Sequence, residues 1–150
     1  MKRKDADEDP EYARYRRKYP KPPSVETCVD LLGRMNVQGS YLESVLQDLS
    51  THANNDIASV MAAFKAQTDD RARSIVLSVI ADAASVESLP LLIETLFDRD
   101  EMVQYWAASG LHRLNTPEAR RALWHAGTVE LGDSAKTERF RQMLESLKRE

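Results

Sequence analysis

The chain has a single cysteine, Cys28, five glycines and six prolines in 150 residues. It also has no apolar run near the roughly 20 residues that a membrane span requires. A lone thiol cannot form an internal disulfide, so nothing asks for an oxidising compartment and a cytoplasmic location is expected. The charged opening residues lack the apolar stretch of an export signal, so neither secretion nor membrane insertion is expected. His52, His112 and His125 are far apart and lack the paired spacing that gathers ligands around zinc. There is no glycine-rich phosphate loop and no G-x-S-x-G elbow. Cys28 falls on an apolar helical stripe with no neighbouring base, the setting of a buried thiol and not of a nucleophile. These absences together point away from an enzyme, a metal and a cofactor.

What remains is a composition of 42% apolar and 30% charged residues, globular and helix-leaning. The net charge of −3 is uneven. Residues 1–23 carry eight Lys/Arg and five Asp/Glu, a balance of +3, so residues 24–150 stand at −6 (−3 minus +3). An acidic body does not suit a cradle for nucleic acid, which needs clustered cations to displace counterions from phosphates.

Residues 1–23 hold almost no aliphatic side chains, show no amphipathic stripe and end in a proline cluster, so they read as a polar arm that cannot join a core alone. Tyr12, Tyr15 and Tyr19 alternate there with cations that include Arg16 and Arg17. Such interleaving can stack on bases while contacting phosphates. The other roles open to the arm are a solvated tail, the usual fate of charged termini, and docking on its own acidic body or on a protein.

Residues 24–150 read as a series of helices. Ser24 caps the first, which carries Val25, Cys28, Val29, Leu31, Leu32 and Met35 up to a turn at Asn36 to Gly39. Ser40 and Glu43 form a capping-box pattern ahead of Leu42, Val45, Leu46 and Leu49. Asn55 or Asp56 opens a third helix and Asp69 a fourth, the latter with Ala72, Ile75, Val76, Val79, Ile80 and Ala83. Ser85 opens a fifth running through Phe97, and a sixth follows the turn at Asp98 to Asp100. Thr116 caps a seventh with Pro117 at its first position, where a missing N–H is no loss. Ser134 or Asp133 caps the last, with Phe140, Met143, Leu144 and Leu147. Thr128 to Leu131 is the one stretch that invites a strand reading, and no strand is expected there.

The fourth helix superposes on the sixth with a shift of 31 (103 minus 72): Ala72 on Val103, Arg73 on Gln104, Val76 on Ala107, Ile80 on Leu111 and Ala83 on Leu114. Such a period implies stacked hairpins, each unable to bury its apolar face alone. In this pattern, with Ser88 to Leu96 as first helix and Asp100 to Leu111 as second, the chain resembles the HEAT-repeat family. The period is shorter than the roughly 40 to 47 residues of long repeats and more similar to the short, bilin-lyase-like repeats. Gln104 stands where the family often has an arginine, retained by Arg73 one repeat earlier, a departure that bears on the polar ladder between repeats. The resemblance implies an all-α, right-handed α-α superhelix of about four HEAT-like hairpins, following the arm.

The resemblance further implies a partner-binding surface on the second helices. Tyr105 and Trp106 precede the paired alanines there, Ile75 holds the position of Trp106 one repeat earlier, and Ser109 and His112 continue the face. Arg139 joins them if the last hairpin has two extra loop residues. Aromatic and arginine side chains are favoured interface anchors. The alternative is that Trp106 packs under the next repeat. Trp124, beside His125, reads first as a residue closing the core of a terminal helix. The function expected is thus a non-catalytic binding module, an adaptor, assembly factor or immunity-type inhibitor, for a protein partner of basic character. Nucleic-acid binding through the arm is the alternative, and the bilin-lyase resemblance leaves enzymatic activity third.

Overall fold

The structure, a computed structural model, describes residues 10–34 and 39–149, with Ser40 described in its backbone only. The expected turn at Asn36 to Gln38, the helical position of Met35 and the capping role of Ser40 lie outside the described residues. Among the described residues every regular element is a helix: α1 Pro10–Lys18, α2 Val25–Leu32, α3 Gly39–Asn55, α4 Ile57–Ala66, α5 Asp70–Ala83, α6 Leu89–Thr95, α7 Glu101–Leu114, α8 Pro117–Ala126 and α9 Ser134–Lys148. A 3-10 turn, Val86–Ser88, leads into α6.

Six of the helices, α2, α4, α5, α7, α8 and α9, start where a short polar side chain takes up a free backbone N–H. Ser24, Asp56, Asp69, Thr116 and Asp133 accept from the amides of Thr27, Ser59, Ala72, Ala119 and Ala135, respectively. Asp100 accepts from both Met102 and Val103. Ser85 also caps, but what it opens is the 3-10 turn and not a full helix through Phe97. Pro90 sits at the start of α6 and has no N–H to donate back to Val86, so the α-helical ladder is delayed to Leu89. The stretch Thr128 to Leu131 contains no strand.

The repeat is visible in the packing. Ala72, Val103, Val76, Ala107, Ile80 and Leu111 are all fully buried, while Ala83 and Leu114 both lie half-buried at the core's edge. Both helices also end alike, with Ala84 at φ 50° and Asn115 at φ 52° as left-handed C-caps 31 residues apart (115 minus 84). Helices α3, α5, α7 and α9 form one layer, each against the next, and α2, α4, the 3-10 turn with α6, and α8 form the other. The result is a helical-repeat solenoid of four hairpins. Its core runs continuously from Leu32 and Val45 through Leu77 and Leu92 to Phe140 and Leu147. Each such side chain contributes roughly 1.5–3 kcal/mol on burial.

The arm does not behave as its composition predicts. Residues 10–18 form α1, which packs along α3 and buries Tyr15 completely. Its apolar stripe consists of tyrosines, not aliphatics: Tyr15 and Tyr19 lie one turn apart with ring centroids 5.2 Å apart, and Tyr41 of α3 meets Tyr15 edge-on at 5.1 Å. The Tyr15 hydroxyl donates to Asp48 at 2.6 Å, and Arg16 reaches the other carboxylate oxygen at 2.6 Å. Farther along, the His52 ring bonds the Pro23 carbonyl at 2.6 Å, and at the other end Glu11 accepts from the Tyr41 amide at 3.4 Å. Of the roles open to the arm, residues 10–23 take docking on the body.

Candidate functional site

The site begins with the polar tie between repeats. Arg73 donates from both terminal nitrogens to Asp98, at 2.7 and 3.2 Å, while its guanidinium lies over the Phe64 ring at 5.1 Å. Asp70 is held by Arg73 at 3.3 Å and by Arg99 at 2.8 Å. Burial alone raises the pKa of the Asp98 carboxyl, yet its hydrogen bonds from Arg73 and the Asp100 amide, with the charges of Arg73 and Arg99, bring it below the usual carboxylate value.

One repeat later this tie is missing. Gln104 replaces Arg73, and the position matching Asp98 is Val129 (98 plus 31), which offers no charge. Gln104 therefore turns back and donates to the Asp98 carbonyl at 2.8 Å. The tie made by Arg73 is not repeated at Gln104. Helix α9 rests mainly on α7 and only weakly on α8, its own hairpin partner. Phe97 and Phe140, with ring centroids 5.6 Å apart, and an exposed ion pair from Arg139 Nε to Glu101 at 3.0 Å join it to the preceding repeat.

Where this tie is missing, a cleft opens between α7 and α9. It has a volume of about 330 Å³ and is walled by Met102 and Tyr105 on one side and Phe140 and Met143 on the other, with the Glu101–Arg139 pair also in its lining. A more polar hollow of about 640 Å³ adjoins it past Phe97, Leu131 and Lys136. Met102, on the cleft, is 53% exposed and Phe97, on the adjoining hollow, 42%, so each presents apolar surface to solvent.

The chain matches the family of HEAT repeats over residues 57–139, more than half its length. It belongs to the HEAT-repeat family. No curated protein and no solved structure matches it. HEAT repeats are in general protein-interaction modules and typically non-enzymatic, so the surfaces of this solenoid carry the functional question. Among the described residues, no helix is long and apolar enough to cross a membrane.

Of the residues singled out in the sequence, Tyr105 and Arg139 line the cleft. Trp106 is half-buried against the core and meets Tyr105 edge-on at 4.9 Å, so it backs the cleft wall without forming it. Ile75, Ser109 and His112 are not among the lining residues; Ile75 is half-buried against the core, and His112 is exposed. On the arm, Tyr15 is buried, Arg16 is engaged with Asp48, and Tyr19 is half-buried with Lys18 over its ring at 5.6 Å. Tyr12 and Arg17 stay exposed. Met102, Phe140 and Met143 were missed by sequence reasoning. Met102 carried a usable signal, because the repeat register aligns it with the exposed Arg71 (102 minus 31), so its side chain was due at the surface.

Proposed function

We propose that this HEAT-repeat protein is a non-catalytic adaptor, assembly factor or inhibitor that seats a segment of a protein partner in the cleft between α7 and α9. The observation that carries this reading is the exposed Met102 facing Phe140 and Met143 beside a surface ion pair. An apolar slot with a charged rim is the usual anatomy of a peptide-accepting surface. Arg139 and Glu101 can exchange their mutual contact for a partner's charges, since exposed pairs contribute little to stability. The charge of −6 over residues 24–150 favours a basic partner through electrostatic steering.

The test is to recover partners with the wild-type protein and with Met102→Asp. The affinity of the recovered partner is then measured against Met102→Asp and Tyr105→Ala. Loss of binding with an unchanged melting temperature supports the cleft, and partners retained by both variants remove it.

A second reading rests on α1. With Arg16 held by Asp48, Arg14, Arg17, Lys18 and Lys21 are left on the exposed side of the arm. Such a cationic face suits a polyanion. Nucleic-acid binding there predicts a steep fall of affinity with salt, abolished by reversing Arg14 and Arg17 to Glu. Affinity for an oligonucleotide that does not change with salt rules it out.

A further inference from the structure

The outer layer carries a second surface that shares no residue with the cleft. Trp124 is 74% exposed, the largest exposure among the big apolar side chains of the described residues, although a tryptophan near the end of a helical stack is expected to close the core. The core needs nothing from it. Helix α8 packs through buried Ala119 and Ala126, with Ala122 and Leu123 half-buried against the same cluster. One repeat earlier (124 minus 31) the same position holds Ile93, 37% exposed on the neighbouring outer helix α6. The two side chains thus hold equivalent exposed positions on adjacent outer helices.

Two cations flank the tryptophan on its N-terminal side. Arg120 and Arg121 lie one turn before it, both exposed. Arg120 is held by neutral acceptors, the carbonyl and side-chain oxygens of Asn115 at 2.6 and 3.2 Å, and meets no acid among the described residues. Arg121 meets an acid only at 3.9 Å, in Glu118, and remains 77% exposed. On the Ile93 side the exposed Glu94 bounds this cationic zone.

We infer that the face formed by Trp124, Ile93, Arg120 and Arg121 docks an acidic segment of a protein partner that carries an apolar side chain. The apolar side chain covers Trp124 and Ile93 while one or two carboxylates meet the arginines. Tryptophan and arginine are the residue types that dominate interface energetics when desolvated together. A second copy of this chain is a poor occupant, because a two-fold contact through Trp124 brings Arg120 and Arg121 of both copies together. Nucleic acid fits less well, because its regular phosphates extend past the arginines onto Glu94, Glu118 and the acidic body.

The probe is a displayed library of random 16-residue peptides, selected in parallel on the wild-type protein, Trp124→Ala and Arg121→Glu. A fluorescein-labelled oligothymidylate is titrated alongside. Because Trp124 is exposed, both variants should melt with the wild type, and circular dichroism checks this. The expected result is a pool rich in Asp or Glu with Leu, Phe or Trp, whose affinity falls about 10-fold or more in each variant. A neutral or basic pool, a pool indifferent to both variants, or no enrichment at all overturns the inference. So does oligothymidylate binding that disappears in Trp124→Ala, which would assign the face to nucleic acid. Variants at Met102 and Tyr105 leave this readout unchanged, so failure here and failure of the cleft are distinguishable.

Discussion

Tyr15 on α1 and Asp48 on α3 stand 33 positions apart and share a 2.6 Å hydrogen bond inside the core. Burial, reinforced by the hydrogen bond and negative charge of Asp48, pushes the phenol pKa above its ordinary value, so Tyr15 is the donor throughout the working pH range. Arg16 occupies the other oxygen, and one carboxylate thus secures two successive residues of the arm. Tyr15→Phe removes the donor and should cost about 1.5 kcal/mol, whereas Tyr15→Ala also leaves a cavity and should cost about 3–5 kcal/mol. Limited trypsin digestion at Arg14 and Arg17 should accelerate in the same order. Equal digestion of all three proteins would show that α1 is not held by this contact.

The ion pair of Arg73 and Asp98 should shape the acid limb of stability. The folded pKa of Asp98 is depressed, so its contribution is complete above the unfolded value near about 3.9 and is lost as pH falls through the folded value. Asp98→Asn should therefore be less stable than wild type at pH 7, by about 2 kcal/mol for a pair this sheltered. The difference should shrink steadily below about pH 4. Urea denaturation at pH 7, 5 and 3 checks it, and a constant difference across that range would refute it.

Cys28 is fully buried, and its thiol is pushed up to about 12, first by burial and then by the charge of Asp48. Native protein at pH 8 should resist a thiol reagent such as DTNB and react stoichiometrically once unfolded in guanidinium. Rapid modification of the folded chain would contradict this environment.

Gly110 lies where α7 crosses α5 and α6. An added Cβ would stand 2.9 Å from a Leu92 methyl and 3.1 Å from the Ala81 Cβ. Alanine gains about 1 kcal/mol of helix propensity, but overpacking in a filled core costs about 1–3 kcal/mol. Leu92 can turn aside only partly, and the Ala81 Cβ cannot. Gly110→Ala should lower the melting temperature, and an increase would mean that the core has slack there.

Ala84 adopts φ 50° as the C-cap of α5, a conformation that costs an L-residue with a Cβ roughly 1 kcal/mol. Ala84→Gly should thus raise stability by up to about 1 kcal/mol, measured by thermal unfolding. At Asn115, the matching C-cap of α7, the same change should have less effect, because asparagine tolerates this region better than alanine does.

Helix positions, caps and the 31-residue repeat were legible in the sequence because they are set by neighbours within one or two turns. Asp69 and Asp100 cap helices whose apolar positions recur in step, and burial follows that pattern from Ala72 and Val103 to Ile80 and Leu111. Family membership was legible for the same reason.

The surfaces were less legible, because they depend on distances no local pattern encodes. A tyrosine stripe among arginines looked polar until Tyr41 and Asp48 supplied an aromatic neighbour and a hydrogen-bond acceptor from another helix. Trp106 read as a surface anchor and Trp124 as a core residue, yet the first packs against the core and the second is left in solvent. Gln104 was visible as a break in the repeat. That the break opens a cleft beside Met102 and Arg139 was decided only in three dimensions, where α9 rests on α7 through an exposed ion pair and without a sheltered tie like that of Arg73 and Asp98.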